Sequence, residues 1–316
     1  VSLIEKWYSF IIFLAVLIGL SLGQFEILRT ISESFIVPLL VAMLYITFLQ
    51  IPIEEIKKSF KNIKFTFTSA IINFVWTPIL AWMLALLFLG DQPALYLGFI
   101  MLMVTPCMDW YLIFTGIAKG NVGLSAAILP LNLMLQIILL PIYLLIFGGQ
   151  TGVIELTFLA ESILVVLLTP LALAFLTKVL LENKQQFRED LISKLSVLPI
   201  LFLSLAIVAM FASQGQLLLD NVHVMWQITI PILLFFAVNF IASQQIGKIM
   251  NFSTSDKASL SLTTLARNSP IALAIAMTAF PNQPLIALTL VIGPLLELPI
   301  LAIITQILLF INKRKC

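Results

Sequence analysis

Cys107, Asp109, Arg267 and Glu297 are the side chains of this 316-residue chain least at home in their surroundings, because each lies within a long apolar run. An ionisable group at mid-bilayer depth costs on the order of 3 kcal/mol on insertion scales, and it turns toward a bundle interior or a wet cavity. A thiol is a soft ligand, suited to arsenite, antimonite or another soft metalloid. One thiol binds weakly and reversibly, which suits passage rather than storage. A three-thiolate site within one chain is excluded, since the second cysteine, Cys316, is at the tail. The other reading of Cys107 is a small buried apolar side chain, the usual place of a cysteine outside a disulfide. Asp109 can take up and release a proton. Arg267 can meet an anionic substrate or hold the place of a coupling cation. If the segments carrying them cross, the two instead form an ion pair that fixes the crossing. Glu297, between Pro294 and Pro299 in IGPLLELPIL, is a candidate for proton coupling or substrate binding, with a hydrogen-bonded structural role as the alternative.

These residues fall in two related stretches, VTPCMDWYLIFTGIAKGN (104–121) and LARNSPIALAIAMTAFPN (265–282). Shifting the numbering by 161 places Cys107 on Asn268 (268 − 107), Ala118 on Ala279, Asn121 on Asn282, Leu124 on Leu285 and Gln136 on Glu297. Pro106 and Pro270 mark both stretches as helices broken in mid-membrane, because proline lacks a donor and clashes with the carbonyl four residues earlier. The carbonyls of Leu102 and Ala266 are then expected to seek a new partner: a substrate, an ion or a trapped water. Asn268 and Ser269 join Arg267 as polar groups of the second break. Asn132 and Gln136 are expected to line the same cavity from the other half, or to make helix–helix hydrogen bonds. The crossing of the two breaks is the expected working site.

Apolar residues make up 61% of the chain and charged residues 10%, against ~25% charge in a soluble globular chain. The mean hydropathy is +1.13. Such a chain is solvated by lipid. A span needs about 20 apolar residues, and that rule marks ten: 8–25, 34–53, 65–89, 94–118, 123–148, 156–177, 194–213, 224–246, 258–280 and 285–311. Backbone facing lipid must satisfy itself, so the spans are helices. The expected fold is an all-α integral membrane protein of two inverted five-helix repeats, residues 1–155 and 156–316. Five spans per half is odd, so the halves lie in opposite orientations, and discontinuous helices in matching places mark a secondary transporter. The first apolar run has no basic leader or small-residue cleavage site and is expected to be a retained span.

Putting both termini in the cytoplasm places 15 of the 17 basic residues on the inner side, leaving Arg29 outside and Arg267 within a span. Charge asymmetry of this kind sets topology. The expected location is a bacterial-type plasma membrane. Trp7 and Trp226 are expected interface anchors, and His223, the single histidine, an outer-loop residue.

A formal net charge of +2 argues against a nucleic-acid partner, which needs a clustered basic surface. Intramembrane proteolysis needs paired aspartates, a Ser/His pair or a zinc motif. One loop histidine and one mid-span aspartate supply none, so the chain is not expected to be an enzyme, and no cofactor is implied. A membrane sensor or scaffold is the remaining rival.

TPCMDWYLIFTGIAKGN and the following VGLSAAILPLNLMLQ resemble the fourth and fifth spans of the arsenical-resistance permeases, of the superfamily that also holds the bile acid:sodium symporters. The carriers of the resemblance are Cys107 ahead of Ala118-Lys119-Gly120, the pattern Leu131-Asn132…Gln136, and Gly293-Pro294-Leu295…Glu297…Pro299. It implies a panel domain and a core domain with crossed helices 4 and 9, and it matches Cys107 and Glu297 to residues tied to arsenite export. The sequence departs from the pattern in Pro106 before the cysteine, in Phe114-Thr115 before the turn and in the cationic Arg267. The sodium symporters place a carboxylate in the ninth-span break, whereas no acidic residue lies between Asp256 and Glu297 here. A proton, or the fixed charge of Arg267, is expected to take sodium's part. The expected function is export of arsenite or a related small metalloid or anion, coupled to protons through Asp109 or Glu297. The alternative is a symporter-like carrier of an organic anion, coupled to H+ or Na+, with Arg267 meeting the carboxylate or sulfonate.

Overall fold

The computed structural model describes residues 8–313 except 51–59, 108–109, 150–155, 182–190, 192–193, 196 and 221. Asp109 and Trp7 lie outside the described residues. Twelve helices are described: α1 (Tyr8–Leu22), α2 (Glu26–Gln50), α3 (Phe60–Leu89), α4 (Pro93–Met103), α5 (Trp110–Ile117), α6 (Val122–Gly148), α7 (Thr157–Leu180), α8 (Leu198–Asp220), α9 (Val222–Ile249), α10 (Thr254–Leu265), α11 (Ser269–Ala279) and α12 (Pro284–Lys313). Seven are long and apolar enough to cross a membrane, namely α2, α3, α6, α7, α8, α9 and α12. Large apolar side chains such as Phe67, Leu87, Ile146 and Phe175 are exposed on them, as lipid contact requires and water forbids. The protein is a multi-pass membrane protein. The two segments that read as spans 94–118 and 258–280 are each two shorter helices separated by non-helical residues. His223, expected in a loop, sits exposed in the first turn of α9.

The chain divides into two units, each drawn from both halves of the sequence. One comprises Val1–Ile51, Val153–Val224 and Pro270–Val291, and so holds α1, α2, α7, α8, nearly all of α11 and the start of α12. Here α8 packs on α1 and α2, and α7 on α2. The α1–α8 approach depends on small residues. A Cβ at Gly19 would lie 2.6 Å from Phe211 Cβ, one at Gly23 2.6 Å from the Ala212 carbonyl, and one at Gly215 2.6 Å from Leu20 Cδ2. Lipid gives helices no hydrophobic reason to associate, so close backbone contact through small residues supplies the dispersion energy instead. The Tyr45 and Thr177 hydroxyls, 2.9 Å apart, link α2 to α7.

The other unit comprises Pro52–Gly152, Met225–Ser269 and Ile292–Cys316. Within α3, residues Ile72–Trp76 widen into a π-turn directly before Thr77-Pro78. Pro78 has no N–H for the Phe74 carbonyl and its ring needs room there. That carbonyl is met by the Tyr143 hydroxyl of α6. The same Thr-Pro device follows the π-turn Ile163–Leu168 in α7.

Two tight turns set the entry to the helices that matter. After α5, Lys119 adopts φ 57° and the Gly120 amide donates to the Thr115 carbonyl at 2.8 Å. After α9, Asn251 adopts φ 51° and the Phe252 amide donates to the Gly247 carbonyl at 2.9 Å. Both are left-handed helix terminations that satisfy last-turn carbonyls. Gly120 has a further constraint: a Cβ there would lie 2.7 Å from Thr115 Cγ2 and 3.0 Å from Ser259 Oγ. Asn121 caps α6 through the Leu124 amide, and its own amide group donates to Asp256 Oδ1 at 3.0 Å. The starts of α6 and α10 are thereby fastened together.

Candidate functional site: two helix ends that meet

Helices α4 and α10 stop at Met103 and Leu265. Each then runs into a non-helical stretch, and the two stretches pair as one antiparallel bridge between Pro106 and Arg267. The Cys107 amide donates to the Ala266 carbonyl at 2.9 Å, and the Asn268 amide donates to the Thr105 carbonyl at 2.7 Å. Pro106 is not inside a helix, and Pro270 is the second residue of α11, where a missing N–H removes nothing.

Each helix end leaves carbonyls without intrahelical donors. On α4, the Met101 and Leu102 carbonyls share the Thr105 hydroxyl, each at 3.0 Å, and Met103 accepts from the Arg267 guanidinium at 2.9 Å. On α10, Thr263 accepts from Asn73 Nδ2 at 3.5 Å and Leu265 from Arg267 Nε at 3.0 Å. Thr264 accepts from Asn239 Nδ2 at 3.3 Å and from the guanidinium. The expectation that the carbonyls of Leu102 and Ala266 await a substrate, ion or water is therefore corrected. The Thr105 hydroxyl of the same break meets Leu102 and the Cys107 amide of the other break meets Ala266.

Arg267 is the centre of this arrangement and is only 2% exposed. Beyond the bonds to Met103, Thr264 and Leu265, its Nη2 donates to Asn73 Oδ1 at 3.3 Å. Its guanidinium carbon lies 5.3 Å from the centroid of the Phe235 ring, within cation–π range. Four bonds thus draw on the five N–H groups of a guanidinium. Both helix ends present the negative pole of a helix dipole, which a cation stabilises.

Glu297, Cys107 and Asn268 bond at this centre, and further buried polar groups lie on α6. The Glu297 carboxylate of α12 accepts from the Arg267 backbone amide at 2.8 Å and is buried. One helical turn earlier, Gly293 lets α12 close on α4: a Cβ there would lie 2.7 Å from both Leu102 Cδ atoms. Cys107, Asn268 and Ser269 are buried. On α6, Asn132 and Gln136 lie one turn apart and are 2% and 1% exposed. The Asn132 Nδ2 and both amide atoms of Gln136 have no hydrogen-bond partner among the described residues. In the first turn of that helix, the Ser125 hydroxyl lies 3.4 Å from the Thr263 hydroxyl of α10.

Asn73 and Asn239 were not foreseen. Asn239 receives Trp76 Nε1 at 2.9 Å and donates to Thr77 Oγ1 at 3.2 Å, so it ties α9 to the π-turn of α3 as well as to α10. The signal available was an amide inside each of two apolar spans, Asn73 being the single amide of 65–89 and followed closely by Thr77-Pro78.

The model of the sodium bile acid symporter family matches residues 37–221. The chain is 24% identical over 341 residues to the arsenical-resistance protein Acr3 of Corynebacterium glutamicum, covering 99% of this chain and 91% of that one. It is 23% identical to an uncharacterised transporter of Synechocystis, over 97% of this chain and 88% of that one. It is 24% identical to the uncharacterised protein YbaS of Bacillus subtilis, over 71% of this chain and 72% of that one.

Proposed function

The chain belongs to the sodium bile acid symporter family and is a membrane transporter, and from that premise we propose that it exports arsenite or a related small metalloid or anion by secondary active transport. The observation that carries this reading is the shared position of a thiol-bearing and a carboxylate-bearing residue. Cys107 is bonded through its amide to Ala266, and Glu297 is bonded to the amide of the next residue, Arg267. A soft sulfur ligand in the bridge and a proton-exchanging carboxylate of α12, anchored at the adjacent residues Ala266 and Arg267, can couple metalloid release to proton uptake. Coupling runs through Glu297 or Asp109. Asn132 and Gln136 offer hydrogen-bonding capacity that no described protein group uses, and buried polar groups of that kind suit a hydroxylated substrate. Similarity to an arsenical-resistance protein over 99% of the chain supports the same substrate.

The wider architecture follows the same reading. Ten spans, as inverted repeats 1–155 and 156–316, carry a panel (α1, α2, α7, α8) and a core built around the crossing. Both termini face the cytoplasm of a bacterial-type membrane, and the chain works as a carrier rather than an enzyme. The local symmetry of the bridge supports the repeat: 107 and 105 shifted by 161 give 268 and 266, so the Cys107–Ala266 bond maps onto the Asn268–Thr105 bond.

The family match favours a second reading, a carrier of an organic anion. The two separate in proteoliposomes offered arsenite or a bile-acid-like anion under a proton or a sodium gradient. Arsenite movement that follows the proton gradient and disappears in Cys107→Ser supports the metalloid reading. Anion movement indifferent to Cys107→Ser replaces it with the organic-anion reading. Movement of neither overturns both.

A further inference from the structure

Resting on the carrier reading above, we propose that Arg267 is a tethered cation occupying what would otherwise be an alkali-cation site, so that the carrier works without sodium. The Met103, Thr264 and Leu265 carbonyls and Asn73 Oδ1 converge on the guanidinium from three helices. Three are neutral carbonyls at the carboxyl ends of two half-helices and the fourth is a side-chain amide oxygen inside α3; carbonyls at half-helix ends are the ligands and dipole field with which discontinuous membrane helices hold sodium. Here their common partner is a covalently attached positive charge. Glu297 lies against the backbone of the same residue, and the break contributes no other carboxylate, since no acidic residue occurs between Asp256 and Glu297. A free cation added beside the guanidinium would meet like-charge repulsion in a medium that screens it poorly. The arrangement therefore has one positive charge built in. It also limits Arg267 as a clamp for a substrate anion, because four of its bonds already go to protein oxygens.

Removing the guanidinium while leaving the carbonyls should open a cation site. The test uses purified full-length protein in detergent, as wild type, Arg267→Ala and Arg267→Gln, melted in sodium, potassium or choline chloride at equal ionic strength, with binding of radioactive sodium measured in parallel. The wild type should melt alike in all three salts and bind no sodium saturably. Arg267→Ala should melt lower than wild type in choline and be raised by sodium by roughly 3 °C or more, as a ligand specific to the folded state raises Tm. A sodium-specific shift or saturable sodium binding in the wild type overturns the proposal, as does a folded variant without cation preference. Should neither variant fold, wild-type sodium binding decides. Because the readout is cation binding, a failure of arsenite transport would sink the function proposed above without altering this result.

Discussion

Pro106 and Arg267 face each other across a single antiparallel bridge, and the two hydrogen bonds that flank them are related by the same 161-residue shift that relates the two stretches of sequence. Backbone at this depth has no water to fall back on, so each break satisfies the other. Replacing Asn268 by proline removes one bridging N–H and leaves the Thr105 carbonyl without it, whereas Asn268→Ala keeps the backbone bond. Asn268→Pro should lose about 1–3 kcal/mol more than Asn268→Ala, seen as the lower melting temperature of the two. Equal melting of the two variants would show that the bridge contributes nothing.

Glu297 combines an acceptor role with a charge. Glu297→Gln retains an oxygen for the Arg267 amide, which lies 2.8 Å from the carboxylate. It should fold as wild type does and lose proton-linked arsenite movement in proteoliposomes. Glu297→Ala leaves a buried amide without its charged acceptor and should also lose about 1.5–3 kcal/mol of stability. Undiminished transport by Glu297→Gln would remove Glu297 from the coupling mechanism.

How much of this could be read beforehand follows from what a residue letter encodes. The crossing was legible because Pro106, Cys107, Arg267 and Asn268 carry their chemistry in their side chains and recur at a fixed shift. The guanidinium's acceptors were not legible, because Met103, Thr264 and Leu265 act through carbonyls that every residue possesses. Asn73 and Asn239 were hidden for another reason: an amide in an apolar helix does not say which neighbouring helix it will bond. The interruption inside 94–118 was visible as a proline, but its consequence was misjudged, since the sequence does not say that Thr105 will turn its hydroxyl onto the Met101 and Leu102 carbonyls.

Asn239 gives a measure of that hidden network. It makes three bonds, to Trp76, Thr77 and the Thr264 carbonyl. Interhelical hydrogen bonds in membranes average about 0.6 kcal/mol each, so Asn239→Leu should lose roughly 2 kcal/mol rather than the larger sum that isolated bonds would suggest. A melting temperature unchanged by Asn239→Leu would mean that Asn239 contributes nothing to holding the π-turn of α3.

Orientation can be tested independently of the substrate. With 15 of the 17 basic residues assigned to one side, a cysteine introduced at Lys184 in a Cys107→Ser, Cys316→Ser background should react with an impermeant maleimide in inverted vesicles and not in intact cells. Labelling at Lys184 in intact cells would reverse the topology and, with it, the direction assigned to export.

Gly293 decides how closely α12 can bring Glu297 to the crossing. Its absent Cβ would lie 2.7 Å from two carbons of Leu102, a side chain only 1% exposed and so with little room to retreat. Overpacking of this kind costs about 1–3 kcal/mol, and the displacement falls one turn from the carboxylate bonded to Arg267. Gly293→Ala should therefore lower both melting temperature and arsenite flux. Leu102→Ala removes the two obstructing carbons, so the double variant Gly293→Ala/Leu102→Ala should recover flux relative to Gly293→Ala. Additive losses in the double variant would mean that the glycine serves something other than the approach of α12 to α4.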